Sequence, residues 1–288
     1  MEPTVYLNGC FLPLAEARIP VMDRGFLFGD GVYEVIPVYD RRPFRLDEHL
    51  DRLQASLDGI RLANPHTRAQ WTALVEQICC GVDWNDVGVY LQVTRGPGPR
   101  DHAFPKVVSP TVFLMPLELT APGAELVAQG VAAITAEDTR WARCDIKATS
   151  LLANVLLRQL SVDAGCAETL LVRDGWLMEG AASSVFLVRD GVILAPPKSP
   201  LILPGVTYDV VLELAAAEGV PTRVAPVPQT ALVDADEVWL TSSTKEILAV
   251  TTLDGRAVGD GRPGPLYRRL MARYQDYKHT VMRGKDRP

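Results

Sequence analysis

The apolar pattern runs through the same kinds of element on both sides of Pro122-Gly123, short strands with tight turns and then amphipathic helices, and this pattern limits the chain to a two-domain α+β fold. The first half opens with VYLNGCFLPL, two apolar runs around Asn8-Gly9, a strong hairpin signal. A turn at Asp23 to Gly25 and another at Gly29-Asp30-Gly31 lead into the strand VYEVIPVYD, which turns at Arg41-Arg42-Pro43. Leu46, Leu50, Leu53, Leu57 and Ile60 then recur at alternating four- and three-residue spacing, with Asp47 near the start, which predicts a helix. A second helix is expected over 67–80, and GVYLQVTRG and TVFLMPLEL read as buried strands. Residues 1–120 form the expected first domain, 121–124 the linker and 125–288 the second domain. The second domain should carry helices over 150–164 and 207–218, hairpins at Asp174-Gly175 and Asp190-Gly191, a strand DEVWLTSST entering a hydroxyl-rich loop, and the terminal helix LYRRLMARYQDY.

Composition narrows the function. Apolar residues make up 48% of the 288, which excludes a disordered chain. The net charge is −6 with no basic stripe, which argues against a nucleic-acid partner. No apolar run reaches the ~20 residues of a membrane span, and MEPTVYLNGCFLPL lacks the basic and apolar regions of a signal peptide. The five cysteines contain no CxxC, and the four histidines are scattered, so no metal site is expected and a reducing cytoplasm is the simplest location.

Several side chains can carry chemistry, although each also has an ordinary reading. Lys147, in RWARCDIKATSLL, is one of six lysines and is hemmed in by Ile146, Leu151 and Leu152. Partial burial would favour the neutral amine that imine formation needs, but a solvent-facing lysine at a helix start fits as well. Glu179, in WLMEGAASSVFLV, ends a strand before small residues that allow close approach to the backbone. A carboxylate there can hold a pyridine nitrogen protonated; it can also be a turn glutamate. Leu203-Pro204-Gly205-Val206-Thr207 enters a helix whose first N–H groups attract anions. Thr241-Ser242-Ser243-Thr244 offers hydroxyls and turn amides, and Arg52 can supply charge. Arg100 and His102 lie on the stiff loop VTRGPGPRDHAFP and suit a carboxylate, to which Tyr33 can add a hydroxyl.

Taken together and in order, DRGFLFGDGVYEV, EHLDRL, YLQVTRGPGPRDHAFP, RCDIKATSLL, EGAASSVF, LPGVTYDVV and LTSSTKE resemble the fold-type IV pyridoxal-phosphate enzymes, and within them the D-amino-acid aminotransferases. The resemblance runs from about Val5 to Tyr277. It implies that Lys147 holds pyridoxal 5′-phosphate as a Schiff base and that the second domain carries this lysine. It also implies that Glu179 meets the ring nitrogen, that Arg52, Val206, Thr207, Ser243 and Thr244 bind the phosphate, and that Leu203 packs on the cofactor face. Tyr33, Arg100 and His102 match a substrate-carboxylate trap, the last two reaching a neighbouring subunit, so a homodimer with shared active sites is implied. The implied reaction is transamination between a D-amino acid, such as D-alanine or D-glutamate, and 2-oxoglutarate. Related activities on the same fold are (R)-selective amine transamination, branched-chain L-amino-acid transamination and aminodeoxychorismate cleavage. Two positions depart from the family pattern: Ser184 stands where Asn is usual, and Tyr208 where close relatives often carry Arg.

Overall fold

In the computed structural model, which describes residues 3–285, the chain separates into two units. One runs to Thr120 and takes back Ile146–Leu151; the other holds Ala121–Asp145 and the chain from Leu152 onward.

The first unit is built on an antiparallel sheet of β1 (Thr4–Leu7), β2 (Cys10–Pro13), β3 (Gly31–Tyr39), β4 (Arg42–Pro43), β5 (Asp86–Thr94) and β6 (Thr111–Glu118), in the order β2-β1-β6-β5-β3-β4. The β1–β2 hairpin turns at Asn8 and Gly9, with φ of 48° and 98°, as a type I′ turn requires. The next hairpin turns at Asp40 and Arg41, both left-handed, one residue earlier than the sequence suggests, so Arg42 and Pro43 already pair with Tyr39 and Val38. Helices α2 (Leu46–Gly59) and α3 (Arg68–Cys80) cover the sheet. Leu50, Leu53 and Leu57 of α2 and Trp71, Val75 and Ile78 of α3 join Val32, Ile36, Val89 and Leu91 in one core. Thr67 and Gln70 close a reciprocal cap that starts α3.

The segment expected as a turn at Asp23 is instead a short helix, α1 (Arg24–Phe28), capped by the Asp23 carboxylate. That buried carboxylate accepts from Gly25 N at 2.8 Å, Thr94 Oγ1 at 2.8 Å and Thr111 Oγ1 at 2.6 Å, joining α1 to β5 and β6. Asp30 accepts from Arg24 Nε and Arg95 Nε, each at 2.8 Å. Burial pushes its carboxyl up, but the two guanidinium groups outweigh burial and hold it below the usual range. Gly96 follows Arg95 at φ +81°, and a Cβ there would lie 1.8 Å from the Ser109 carbonyl oxygen, so the bend admits only glycine.

The second unit opens with α4 (Ala124–Gln129), a short helix that the sequence pattern does not reveal because none of its residues is buried; the expected linker therefore ends inside its first turn. The unit's sheet takes β7 (Val131–Glu137), β8 (Glu168–Arg173), β9 (Trp176–Gly180), β10 (Ser184–Arg189), β11 (Val192–Ala195), β12 (Thr222–Val224), β13 (Val227–Pro228), β14 (Glu237–Ser242), β15 (Glu246–Leu253) and β16 (Arg256–Ala257). Its order is β12-β11-β10-β14-β15-β7-β8-β9-β13, with β16 on β15. The pairs β7–β8, β7–β15 and β11–β12 are parallel. Helices α5 (Leu152–Asp163), α6 (Val206–Ala217) and α7 (Pro265–Tyr277) complete it. The hairpins at Asp174-Gly175 and Asp190-Gly191 turn through left-handed residues, as their sequences predict.

Helix α5 starts at Leu152 rather than at 150, and the difference has a bearing on Lys147. Residues 146–151 are tied to the first unit: Tyr33 N donates to Lys147 O at 2.9 Å, Thr149 N to Gly31 O at 2.9 Å, and Val32 bridges Ala148. Lys147 is therefore packed with the first unit, not with the second as the sequence implied. The strap is held by backbone pairing with β3, more than a hundred residues earlier in the chain, and no local pattern reports such a contact.

Candidate active site

In the first unit, Lys147 sits on a pinned strap. Its N–H donates to Ser56 Oγ at 3.1 Å and its carbonyl accepts from Tyr33 N, while Ile146 and Ala148 on either side are buried in the core. The half-buried side chain ends with Nζ 4.2 Å from the centroid of the Tyr33 ring, a contact between an amine and the electron-rich face of an aromatic ring. Tyr33 in turn stacks on Tyr90, whose hydroxyl donates to Gln92 Oε1 at 2.6 Å. Three of the other lysines differ by their partners, and Lys106 differs by being exposed. Lys198, Lys245 and Lys278 are paired with Asp209, Glu168 and Glu246. Among the described residues, Lys147 has no carboxylate within ion-pair distance of its amine.

Arg52, one turn along α2 from His49, lies against β3. Its Nε and Nη2 hold the two oxygens of Glu34 at 2.7 and 2.8 Å, and His49 Nδ1 lies 2.8 Å from Glu34 Oε2. Glu34 and His49 are fully buried. Burial pushes the Glu34 carboxyl up, but Arg52 and then His49 outweigh it and hold Glu34 far below the usual range. Burial pushes the His49 imidazole below its usual range in spite of Glu34, and its Nε2 is buried with no hydrogen-bond partner among the described residues. A neutral ring with the proton on Nδ1 satisfies both observations. A carboxyl lowered on folding stabilises the fold above its unfolded value and loses that contribution as the pH falls toward its folded value. Glu34→Gln is therefore expected to flatten acid denaturation below about pH 4.5, followed by circular dichroism; slopes equal to the wild type would remove Glu34 from the account.

Arg100 and His102 are exposed and lie together at Phe28, with the guanidinium 5.9 Å from the ring centroid and the imidazole 5.6 Å. The structure thus groups Tyr33 with Lys147, and Arg100 with His102.

In the second unit, Glu179 lies next to the end of β9 as a buried carboxylate. Oε1 accepts from Arg140 Nη1 at 2.5 Å, and Leu203 N donates at 3.1 Å to both oxygens. Leu203 thus fixes Glu179 through its backbone. Arg140 divides its charge: Nε and Nη2 go to Asp138 at 2.8 and 3.0 Å, and only Nη1 reaches Glu179. Asp138 also pairs with Arg173 at 3.0 Å. Burial accordingly pushes Glu179 up to about 7, against Arg140 and the Leu203 N–H, while Asp138, with most of the guanidinium, stays below its usual range.

Helix α6 begins at Val206 after Gly205, which has no side chain to cap the first turn, and Val206 and Thr207 are buried. Such an end presents N–H groups suited to an anion. Ser184 Oγ lies so near Gly205 that an added Cβ would be 2.8 Å away, which leaves little room for a longer side chain against that backbone. Tyr208 is a core residue: its ring stacks on Phe186 at 4.9 Å and its hydroxyl donates to Pro196 O at 2.9 Å. In the turn after β14, Ser242 Oγ lies 3.3 Å from Thr244 Oγ1 and accepts from Lys245 N at 3.1 Å. Ser243 is half-buried and Thr244 exposed. Thr241 Oγ1, at the entry to this turn, is buried with no hydrogen-bond partner among the described residues.

Sequence reasoning missed Arg140, Asp138, Glu34 and His49. Glu34 and His49 lay inside quoted motifs, where the spacing gave no reason to join them. Arg140 carried no signal, since its partner Glu179 is 39 residues away.

The amino-transferase class IV family matches residues 31–253. The chain is 39% identical over 272 residues to the D-alanine aminotransferase of Bacillus licheniformis, covering 94% of this chain and 96% of that one. It is 37% identical over 280 residues to the D-alanine aminotransferase of Staphylococcus epidermidis, covering 96% and 99%. Among solved structures, the branched-chain amino acid aminotransferase of Escherichia coli superposes with a TM-score of 0.90 at 27% identity, covering 100% of this chain and 97% of that one. A branched-chain amino acid aminotransferase from T.th., solved with pyridoxamine 5′-phosphate, does so with a TM-score of 0.88 at 28% identity, covering 100% and 96%. Among the described residues no helix is long and apolar enough to cross a membrane, and no cluster of ligands could hold a metal ion.

Proposed function

The chain belongs to the class IV amino-transferase family, and from that premise we propose that it moves the amino group of a D-amino acid, such as D-alanine or D-glutamate, to a 2-oxo acid such as 2-oxoglutarate, with pyridoxal 5′-phosphate as cofactor. One observation carries the chemistry: Lys147 offers a half-buried amine on a pinned backbone, with no carboxylate among the described residues to hold it, in a chain 39% identical to a D-alanine aminotransferase.

The residues present fit the cofactor. Helix α6 starts uncapped, the buried Thr241 hydroxyl lacks a partner among the described residues, and Glu179 Oε2 shares a single N–H with Oε1. When bound, pyridoxal phosphate supplies an electrophilic carbon for an amine and a ring that withdraws electrons from the substrate's Cα–H bond. Lys147 would hold the group through Nζ. Displaced by the substrate amine, the same Nζ would take the α-proton, its backbone kept in place by Ser56 and Tyr33. Glu179 would face the ring nitrogen and Leu203 a ring face. The phosphate would be held by the Val206 and Thr207 amides, the Ser243 and Thr244 hydroxyls and the Arg52 charge. Arg52 comes to this task already oriented by Glu34.

Arg100, His102 and Tyr33 would bind the substrate carboxylate. Arg100 and His102 project together from an exposed loop at Phe28, which suits donation to a second copy of the chain and hence a homodimer. Arg100→Ala is then expected to lose ~1.5–3 kcal/mol in kcat/KM for D-alanine and far less for an amine without a carboxylate. Co-expressing Arg100→Ala with Lys147→Ala chains should restore activity, because one site in each heterodimer keeps both residues. Verified heterodimers that stay inactive would place Arg100 in its own subunit's site or in none. The free cysteines suit a reducing compartment, and we place the enzyme in the cytoplasm.

A coupled assay with 2-oxoglutarate tests the substrate. D-alanine should be turned over and L-alanine and L-leucine should not. Preference for L-leucine would move the chain to the branched-chain activity named for its structural neighbours.

A further inference from the structure

We infer that Arg140 is a positioning residue that decides on which side of the Glu179–cofactor hydrogen bond the proton lies; this rests on the reading of Glu179 as the partner of the ring nitrogen. The cluster is built for that purpose. Asp138, Arg140 and Glu179 are buried and, with the partly buried Arg173, form a line of two carboxylates and two guanidinium groups, with Arg173 Nη2 also donating to the Arg140 carbonyl at 2.8 Å. The Cys144 thiol lies in the same field, and burial pushes it up. Arg140 touches Glu179 through one nitrogen only, on Oε1. Oε2 keeps acceptor capacity beyond the shared Leu203 N–H.

A carboxyl and a pyridine nitrogen joined by one proton can place it on either partner. Burial favours the neutral acid. A fixed cation beside the acid favours the carboxylate and so leaves the proton on the ring. Arg140 is that cation, and Asp138 holds it by a two-point contact so that its third nitrogen stays aimed at Glu179. Without Arg140 the line keeps two buried carboxylates and a single arginine. Taking the proton back from the ring is then the least costly way for Glu179 to shed its charge.

The ring nitrogen's ¹⁵N chemical shift in holoenzyme loaded with ¹⁵N-labelled pyridoxal phosphate reads this directly, because pyridinium and neutral pyridine differ widely. In wild type the ring should stay protonated through neutral pH. In Arg140→Met the pH at which the ring loses its proton should fall by at least one unit. Arg140→Lys keeps the charge but has a single donor group, so its midpoint should lie between the two. Should the Met variant fail to fold, the Lys variant decides: a lowered midpoint supports the inference and an unchanged one overturns it. Purely structural support by Arg140 would change the melting temperature and leave the ring titration where it is, which also overturns the inference. Glu179→Gln is the control on the underlying reading. If it leaves the ¹⁵N signal unmoved, Glu179 is not at the ring nitrogen; if the wild-type chain does not bind pyridoxal phosphate at all, the proposed function fails.

Discussion

Lys147→Ala should fold, melt near the wild-type temperature, and carry out no measurable multiple turnover. The strap is fixed through backbone atoms and through Ile146 and Ala148, none of which the substitution removes. The side-chain contact given up is that with the Tyr33 ring, worth ~0.5–2 kcal/mol. The chemical loss is much larger. In the proposed reaction one nitrogen would serve as the covalent attachment and as the group that moves the α-proton, and a positioned acid–base group alone contributes roughly 10²–10⁴-fold. Steady-state rates with D-alanine, alongside a thermal melt, separate the two effects. Wild-type turnover in the folded variant would show that Lys147 is not the nucleophile.

Glu179→Gln comes second in expected size. The amide keeps the volume and can still accept from Leu203 N, so cofactor binding should survive. The negative charge proposed to stabilise a protonated ring nitrogen is lost, and removal of a strong electrostatic contribution costs ~10²-fold or more in kcat. The loss should fall on proton transfer, and a deuterium isotope effect on the substrate α-hydrogen should grow as that step becomes limiting. An unchanged kcat would take Glu179 out of the mechanism.

The parts of this molecule that could be read from sequence are those fixed by short-range chemistry. Helix α2 announced itself by its leucine spacing, and the hairpins at Asn8-Gly9, Asp174-Gly175 and Asp190-Gly191 by residues that tolerate positive φ. Lys147 and Glu179 could be proposed because motifs carried them. What stayed hidden depends on contacts between distant residues. Helix α1 has five residues, too few to show a period, and its cap is fixed by Thr94 and Thr111 from other strands. The return of 146–151 to the first unit depends on backbone pairing with β3, for which any side chain would do. Arg140 looked like any other arginine in a chain whose basic residues are mostly arginine, and only the fold sets it between Asp138 and Glu179.

Lys147 is proposed as the lysine that holds the cofactor. Borohydride reduction of the holoenzyme fixes pyridoxal phosphate irreversibly to whichever lysine carries it, and peptide mass mapping then locates the label. One labelled peptide is expected, with the group on Lys147. A label on Lys198, Lys245 or Lys278, each paired with a carboxylate here, or no label on a chain that has taken up the cofactor, would contradict it.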